Sequence, residues 1–201
     1  MKLFYTRPSP YARKARAAAL ELGLADRVEF VEVTALTHPT SDIPELRREN
    51  PLQKVPTLVA DDGERLFDSI VIAEYLDALA GGTLFPKDER RWPALKLHAL
   101  AQGIIDAGVA VRLEVLREES LRWDRWIEAH LGKVQRGLDA VEQEPDLLAG
   151  ALHIGHLTLV CAIEWLAFRN VYAQSEEGRP RLSTWYQAVR ERPCLAATRP
   201  G

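Results

Sequence analysis

The chain has 201 residues, 47% of them hydrophobic, and a formal net charge of −3 at pH 7. This length and composition predict a folded protein with room for one large or two modest domains, and they exclude an intrinsically disordered chain. The small negative charge excludes the basic field that nucleic-acid-binding proteins use, so no nucleic-acid partner is expected.

The cysteines and the apolar runs predict the cellular location. Cys161 and Cys194 are the only cysteines, and they form no CxxC motif, which is typical of a reducing compartment. No N-terminal stretch has the pattern of a signal peptide. No apolar run approaches the roughly 20 residues that a membrane helix needs. We therefore expect a cytoplasmic protein without a membrane partner.

The first 33 residues have the pattern of a β-α-β unit. Residues 2–6 predict a strand, and residues 28–33 predict a second strand rich in β-branched side chains. Between them, Ser9 followed by Pro10 is typical of a helix start, with serine as the N-cap and proline as the first helical residue. Gly23 should end this helix. The two strands are expected to be parallel, with a right-handed crossover.

Residues 34–49 predict a loop that contains residues 37–41 and then a short helix from residue 44 to residue 49. The following stretch, residues 50–69, reads NPLQKVPTLVADDGERLFDS and predicts a β-hairpin. Its first strand covers residues 57–60, a turn closes at Gly63, and its second strand covers residues 64–67.

A third helix should follow the hairpin directly. Ser69 begins an apolar repeat typical of a helix, and Gly81-Gly82 should end it. The predicted order is thus β-α-β-(α)-β-β-α over residues 1–80. Residues 81–87 are expected to form a linker.

From residue 88 onward only helical patterns remain, so residues 88–201 are expected to form an all-helical domain. The apolar spacing predicts four helices, over residues 90–119, 123–144, 153–172 and 180–192. His153 and His156 stand at the start of the third of these helices. Two histidines without a third ligand are weak evidence for a metal, so we expect a structural role and no metal site.

Val55-Pro56 before a hairpin, followed by Asp68-Ser69 at the head of a helix, resembles the glutathione-binding half of the cytosolic glutathione transferases, specifically the bacterial serine type. The resemblance covers the whole chain. It implies an α/β plus all-α fold class, in which a thioredoxin-like N-terminal domain precedes an all-helical C-terminal domain. It also implies glutathione as the cosubstrate and a homodimer as the assembly.

The resemblance gives Ser9 the catalytic role of stabilising the glutathione thiolate. A thiol with a pKa near 8.5 is mostly protonated at neutral pH. A serine hydroxyl that donates to the sulfur at a helix N-terminus favours the thiolate. Tyr5 is an alternative activator, because some branches of the family use a tyrosine there. Ser9 as a helix cap alone is a further alternative.

The resemblance also implies the glutathione contacts. The backbone of Val55, held by a cis bond to Pro56, would pair with the cysteinyl part as an added strand. Ser69 would bind the γ-glutamyl carboxylate, and Asp68 would face the ammonium group or cap the helix. Two further side chains complete the predicted set, namely Lys54 on the glycyl carboxylate and Tyr11 along the pocket.

The second substrate would be a small electrophile bound by the first long helix of the helical domain, around Ile105, Asp106, Val109 and Arg112. Packing between helices explains the apolar members of this group equally well. Two other functions stay open. One is a non-catalytic docking protein with the same fold, and the other is a glutathione-dependent reductase or isomerase. The Ser/Thr-x-x-Asp capping box common in the family is replaced here by residues 153–156, HIGH.

Overall fold

The computed structural model describes residues 1–36, 38 and 40–200. Contacts between residues divide the chain into two compact units. The first unit contains Met1–Phe85 together with the segment that begins at Pro193, and the second contains Pro86–Arg192. The sequence assigns the residues after 192 to the helical domain, whereas their contacts group them with the first unit.

The first unit is built on a four-stranded sheet with the order β2-β1-β3-β4. Its strands are β1 (Lys2–Tyr5), β2 (Glu29–Glu32), β3 (Thr57–Val59) and β4 (Arg65–Leu66). Strand β1 is parallel to β2 and antiparallel to β3, and β3 is antiparallel to β4. The predicted β-α-β unit and the predicted hairpin are therefore confirmed, although the last strand is shorter than predicted.

Three helices belong to the N-terminal part of this unit: α1 (Pro10–Glu21), α2 (Pro44–Glu49) and α3 (Ser69–Ala80). All three begin where the sequence predicts, because a proline or a capping side chain marks each start. Apolar residues from the sheet and from α1 and α3 form the core, including Leu3, Leu58, Ala15, Ala19, Ile72 and Leu76. The predicted loop over residues 37–41 includes Thr37 and Pro39, which lie outside the described residues.

The second unit is helical, as predicted. It contains α4 (Arg91–Val115), α5 (Asp124–Gln143), α6 (Ile154–Phe168) and α7 (Pro180–Val189). Every residue from Ile154 to Leu166 is buried, so α6 is the central helix of this unit. Helix α4 packs against both α5 and α6.

Helix α4 is, within the described part of the chain, the one helix long and apolar enough to cross a membrane by length and composition. Length and composition alone do not overturn the expectation that no uninterrupted apolar run is long enough, because polar residues such as Gln102 and Asp106 interrupt this helix. Half of its apolar stretch is buried inside the protein. Leu97, Ala101 and Ile104 are among its buried positions. A core helix has the same composition, and we assign α4 to the core of the second unit.

The start of α6 shows how this chain replaces the missing capping box. His153 is the N-cap, and its Nδ1 accepts a hydrogen bond of 3.2 Å from the Gly155 N–H. Its ring stacks on His156 with 3.6 Å between centroids, and His156 Nε2 donates to the Leu147 carbonyl at 3.1 Å. Burial lowers the pKa of His153 to about 3, with a smaller contribution from His156, and burial lowers the pKa of His156 to about 4. Both histidine rings are therefore neutral near pH 7, and both have a structural role at the start of α6.

A last short helix, α8 (Pro193–Ala196), is absent from the sequence prediction. Pro193 serves as the first residue of α8, whereas the sequence treats it as the end of the preceding helix. Helix α8 packs on α1, and Arg13 donates from Nη2 to the Leu195 carbonyl at 3.2 Å. This contact explains why the C-terminal segment belongs to the first unit.

Candidate active site

The candidate site begins with Ser9, the N-cap residue of α1. Its backbone is extended, and its Oγ accepts a hydrogen bond of 3.2 Å from the Ala12 N–H. The Ser9 N–H donates to the Thr6 carbonyl, which folds the turn between β1 and α1. The half-buried Ser9 hydroxyl donates its own proton to no atom among the described residues. That proton is available to a ligand at the positive end of α1.

The hydroxyl of Tyr5, the alternative activator, is engaged by another group. Tyr5 is buried, and its OH lies 3.4 Å from Glu32 Oε2, which also accepts from Arg7 Nε at 3.1 Å. The Arg16 guanidinium lies 4.3 Å from the centre of the Tyr5 ring. These contacts link Tyr5 to the adjacent strand β2, so its hydroxyl has a protein partner that Ser9 lacks.

The peptide bond between Val55 and Pro56 is cis, as the sequence suggests. Neither the N–H nor the C=O of Val55 has a hydrogen-bond partner among the described residues. Val55 is half-buried and Pro56 is buried, whereas the Lys54 side chain is exposed. The backbone of Val55 therefore offers an unpaired donor and acceptor to an extended ligand.

Two buried polar side chains fix the loop that leads to Val55. Asn50 Nδ2 donates to the Lys54 carbonyl at 3.2 Å and to Thr57 Oγ1 at 3.0 Å. Thr57 Oγ1 donates to the same Lys54 carbonyl at 2.8 Å. Asn50 and Thr57 are 1% and 0% exposed, respectively, so this small network has no access to water. Sequence patterns alone do not identify this network, although an asparagine and a threonine on either side of Val-Pro are a feature by which it could be found.

Asp68 and Ser69 form the start of α3. Asp68 is exposed and caps the helix, because its Oδ1 accepts from the Ile70 N–H at 3.1 Å. Ser69 is the first helical residue, is 2% exposed, and makes no side-chain hydrogen bond with the described residues. The first amides of a helix have no partner within the helix, so Ser69 offers both a hydroxyl and an N–H.

Strand register brings these stretches to one end of the sheet. Phe4 pairs with Thr57, so the end of β1, which leads to Ser9, lies beside the start of β3, which follows Val55. Leu66 pairs with Leu58, so the end of β4, which leads to Ser69, reaches the same end. The Ser9 hydroxyl, the Val55 backbone and the start of α3 at Ser69 therefore lie at the same end of the sheet, although they are far apart in sequence.

The helical residues proposed to contact the electrophile differ in their exposure. Ile105 is fully buried, which is the position of a packing residue. Asp106 is exposed, and Val109 and Arg112 are half-buried. Tyr11, in the first unit, is half-buried at the second position of α1.

Family models match both parts of the chain. Residues 3–84 match the glutathione S-transferase N-terminal domain, and residues 124–188 match the glutathione S-transferase C-terminal domain. The chain belongs to the glutathione S-transferase family. The resemblance predicted from Val55-Pro56 and Asp68-Ser69 is therefore confirmed at the level of the family and of its two-part fold.

Individual members of the glutathione S-transferase family match the chain over its full length. The "Uncharacterized GST-like protein YibF" of Escherichia coli strain K12 is 30% identical over 205 residues, which cover 100% of this chain and 98% of that protein. A glutathione transferase family member from Pseudomonas fluorescens Pf-5, solved with bound glutathione, is 37% identical with a TM-score of 0.94, covering 100% and 98% of the two chains.

A second solved glutathione S-transferase, from Methylobacillus flagellatus KT, also has glutathione bound. It is 33% identical with a TM-score of 0.89, and the match covers 100% of this chain and 99% of that one.

Three residues that were not predicted from the sequence also shape the site. Asn50 and Thr57 hold the loop that leads to Val55, and Glu32 accepts a hydrogen bond from the hydroxyl of Tyr5.

Proposed function

We propose that this member of the family is a glutathione transferase that binds glutathione as cosubstrate and activates its thiol for attack on a small electrophile. The observation that carries the proposal is the Ser9 hydroxyl, which caps α1 and retains a proton that no described group accepts. Glutathione bound in two relatives of 37% and 33% identity supports the choice of cosubstrate.

In the proposed mechanism Ser9 lowers the pKa of the bound thiol. Its O–H donates to the sulfur, and the positive end of α1 adds to the stabilisation of the thiolate. Together these two effects supply about one to two pKa units, each of which corresponds to about 1.4 kcal/mol. The thiol loses its proton to solvent, the thiolate sulfur attacks the electrophilic carbon, and the leaving group departs with the bonding electron pair. Ser9 keeps its proton throughout, so it stabilises the nucleophile without becoming one.

The remaining groups of the first unit have proposed roles in holding the tripeptide. The N–H and C=O of Val55, presented by the cis bond to Pro56, pair with the cysteinyl residue in the manner of an added strand. Ser69 binds the γ-glutamyl carboxylate through its hydroxyl and its N–H at the start of α3. Asp68 faces the ammonium group through the oxygen that does not cap the helix. Two outer contacts complete the proposal: Lys54 on the glycyl carboxylate and Tyr11 along the pocket.

The assembly and the setting are also proposals. We infer a homodimer, which the family expectation favours, and a cytoplasmic role in detoxification, which the reducing environment suggested by two buried thiols supports. Light scattering of the purified chain tests the dimer, and a monomer at micromolar concentration would contradict it.

Substitution of Ser9 tests the proposed role directly. In Ser9→Ala we expect kcat/KM for the reaction of glutathione with iodoacetamide to fall by about 8- to 25-fold at pH 7, since a rise of the thiol pKa from about 6.5–7.5 to about 8.5 lowers the thiolate fraction from about 76–24% to about 3%. The deficit should shrink as the pH rises above the pKa of the free thiol. Steady-state kinetics across this pH range measures both effects.

Tyr5→Phe is the matched control, because it also removes one hydroxyl near the end of β1. We expect its kcat/KM to stay within about threefold of wild type. A large loss in Tyr5→Phe with an unchanged Ser9→Ala would transfer the role to Tyr5. A wild-type chain that binds glutathione without turnover of any electrophile would instead be a binding protein.

A further inference from the structure

Gln53 has a backbone conformation that glutamine rarely adopts. Its φ is 50°, and Gln53 and Asn170 are the only residues other than glycine with a positive φ among those that the structure describes. In this left-handed region the Cβ of an ordinary residue crowds the following carbonyl oxygen, whereas glycine has no Cβ and asparagine tolerates the position. Gln53 stands immediately before Lys54 and Val55, so this repulsion occurs next to two residues of the candidate site.

The side chain of Gln53 connects its loop to the segment that precedes α2. Its Oε1 accepts a hydrogen bond of 2.8 Å from the Ile43 N–H, and its Nε2 donates to the Ser41 carbonyl. A backbone N–H can only donate and a carbonyl can only accept, so the two partners together fix the orientation of the amide. Ile43 is buried and is the N-cap residue of α2, with no capping bond from its own side chain. Gln53 therefore supports the start of a helix that lies earlier in the sequence.

The turn that contains Gln53 does not itself require a glutamine. The Gln53 N–H donates to the Asn50 carbonyl at 2.8 Å, and Asn50 Oδ1 accepts from the Leu52 N–H at 2.9 Å. Neither bond uses the Gln53 side chain, and glycine would form the same turn without the repulsion at Cβ. Strained residues of this kind persist where the surrounding structure holds them, and they cluster at functional sites. The contribution of a glutamine at this position is therefore the connection to Ser41 and Ile43.

Two connections therefore hold the loop that presents Val55. The buried network described above binds the Lys54 carbonyl, and the Gln53 side chain binds the backbone of the segment 41–43. The N–H and C=O of Val55 have no partner among the described residues, and the Lys54 side chain is exposed. A rotation of the backbone at Gln53 would change the direction of both residues, because they follow it directly. All of these groups belong to the first unit.

We propose that Gln53 is a positioning residue for glutathione, which acts by fixing the loop of Lys54 and Val55 against the segment 41–43. The inference rests on the proposed function, in which Lys54 and the Val55 backbone contact the glycyl and cysteinyl parts of the tripeptide. With Gln53 in place these groups have their binding directions before the ligand arrives, so little ordering is required on binding. By linkage, glutathione bound to Val55 also stabilises the hydrogen bonds between Gln53 and the segment 41–43.

Gln53→Asn and Gln53→Gly test the positioning. Both variants fit a positive φ, and both lose the two hydrogen bonds, because the asparagine side chain is one methylene shorter and glycine has no side chain. In each variant we expect calorimetry to show about tenfold weaker binding of glutathione, with kcat for the reaction with iodoacetamide within about twofold of wild type. A residue that serves the fold alone would change the melting temperature and leave the affinity unchanged.

Asn170→Gly is the matched control for these variants. It makes the same kind of backbone substitution at the other positive φ, which lies in the second unit. We expect it to leave the affinity for glutathione unchanged, because Asn170 has no connection to the loop of Val55.

Hydrogen exchange at the Ile43 amide tests the coupling between glutathione and the segment 41–43. This N–H is bonded to Gln53 Oε1, and Ile43 is not among the residues proposed to contact the ligand. With each protein saturated by glutathione, we expect exchange of the Ile43 amide to slow by about fivefold or more in wild type. In Gln53→Asn the same addition should slow it by less than about twofold.

The results separate the inference from the proposed function. Unchanged affinity for glutathione in both Gln53 variants would overturn the inference, whether or not their melting temperatures fall. An Ile43 amide that glutathione does not protect in wild type would overturn it as well. Failure of the wild-type protein to bind glutathione would overturn the proposed function, and the inference with it. Binding without turnover would overturn the transferase activity alone, because calorimetry and exchange still decide the role of Gln53.

Discussion

Two buried polar residues hold the backbone of the candidate site in its conformation, although neither of them is proposed to contact the ligand. Asn50 and Thr57 have no access to water, and both donate to the carbonyl of Lys54, the residue before Val55. Each of these side chains is a buried donor that would be costly to leave without its acceptor, so the network stabilises this conformation of the loop.

Asn50→Ala tests this positioning. We expect the KM for glutathione to rise by about tenfold, because the Val55 backbone loses its support, and the free energy of unfolding to fall by about 1–3 kcal/mol. Thr57→Ser, which keeps the hydroxyl, serves as the control and should stay close to wild type in both. Kinetics with glutathione as the varied substrate and urea unfolding measure the two effects. An unchanged KM in Asn50→Ala would show that the network does not support the Val55 backbone.

At this scale the sequence predicts local chemistry well and distant contacts poorly. Ser9, Asp68 and Ser69 stand at helix starts as predicted, because capping depends on neighbours within a few residues. The contact between Tyr5 and Glu32 depends on the pairing of β1 with β2, residues 27 positions apart. Sequence alone therefore left Tyr5 and Ser9 as alternatives.

At the scale of elements, the start of α6 is the most unusual feature of the chain. Only a neutral His153 can accept the capping hydrogen bond at Nδ1, and its stacked neighbour His156 would add a second charge if protonated. Among the described residues, no other charged group contributes to the pKa of either ring. Protonation of His153 in acid would therefore remove the hydrogen bond that caps the start of α6.

The two histidines predict a stability that declines in acid. Their folded pKa values, about 3 and about 4, lie below the ordinary 6.5, so the folded state binds fewer protons than the unfolded one. Their contribution is complete above about pH 6.5 and is lost as the pH falls toward about 4 for His156 and about 3 for His153. Since His153 is partly exposed, we expect a slope of about 1–2 kcal/mol per pH unit, below the two-proton limit of about 2.7.

The double variant His153→Ser with His156→Asp is the matched control for this prediction, because it installs a Ser-x-x-Asp capping box. Urea unfolding between about pH 7 and pH 5 should show a much flatter pH dependence in this variant. The same slope in wild type and variant would show that other groups cause the acid sensitivity.

The helix boundaries also show where sequence patterns fail. Helices α2, α3 and α7 begin at their predicted residues, because prolines and caps act locally. Helix α6 ends at Phe168, although the apolar pattern continues to residue 172, and α4 ends at Val115 before a short 3₁₀ turn. An apolar side chain after a helix end is buried just as well in an irregular segment, so periodicity overestimates the length.

At the scale of the whole molecule, the C-terminal segment connects the end of the chain to its beginning. Leu195 and Thr198 are almost fully buried, and the Leu195 carbonyl accepts from the buried Arg13 of α1. No local pattern reveals that residues after 192 return to the first unit, because the contact partners are 182 positions apart.

Truncation tests the importance of this segment. Deletion of residues 193–201 should lower the free energy of unfolding by about 2–5 kcal/mol, since it uncovers apolar surface on α1 and leaves the Arg13 guanidinium without the Leu195 carbonyl. Deletion of residues 199–201 alone keeps Leu195 and Thr198 and should have little effect. Equal stability of both truncated chains would contradict the assignment of this segment to the first unit.

The central claim is that the Ser9 hydroxyl, at the start of α1, lowers the pKa of the glutathione thiol. The most direct measurement is the ultraviolet absorbance of the thiolate in the protein–glutathione complex as a function of pH, for wild type and for Ser9→Ala. We predict a bound-thiol pKa about one to two units below the ordinary 8.5 in wild type and a return to about 8.5 in the variant. The same pKa in both proteins would contradict the account.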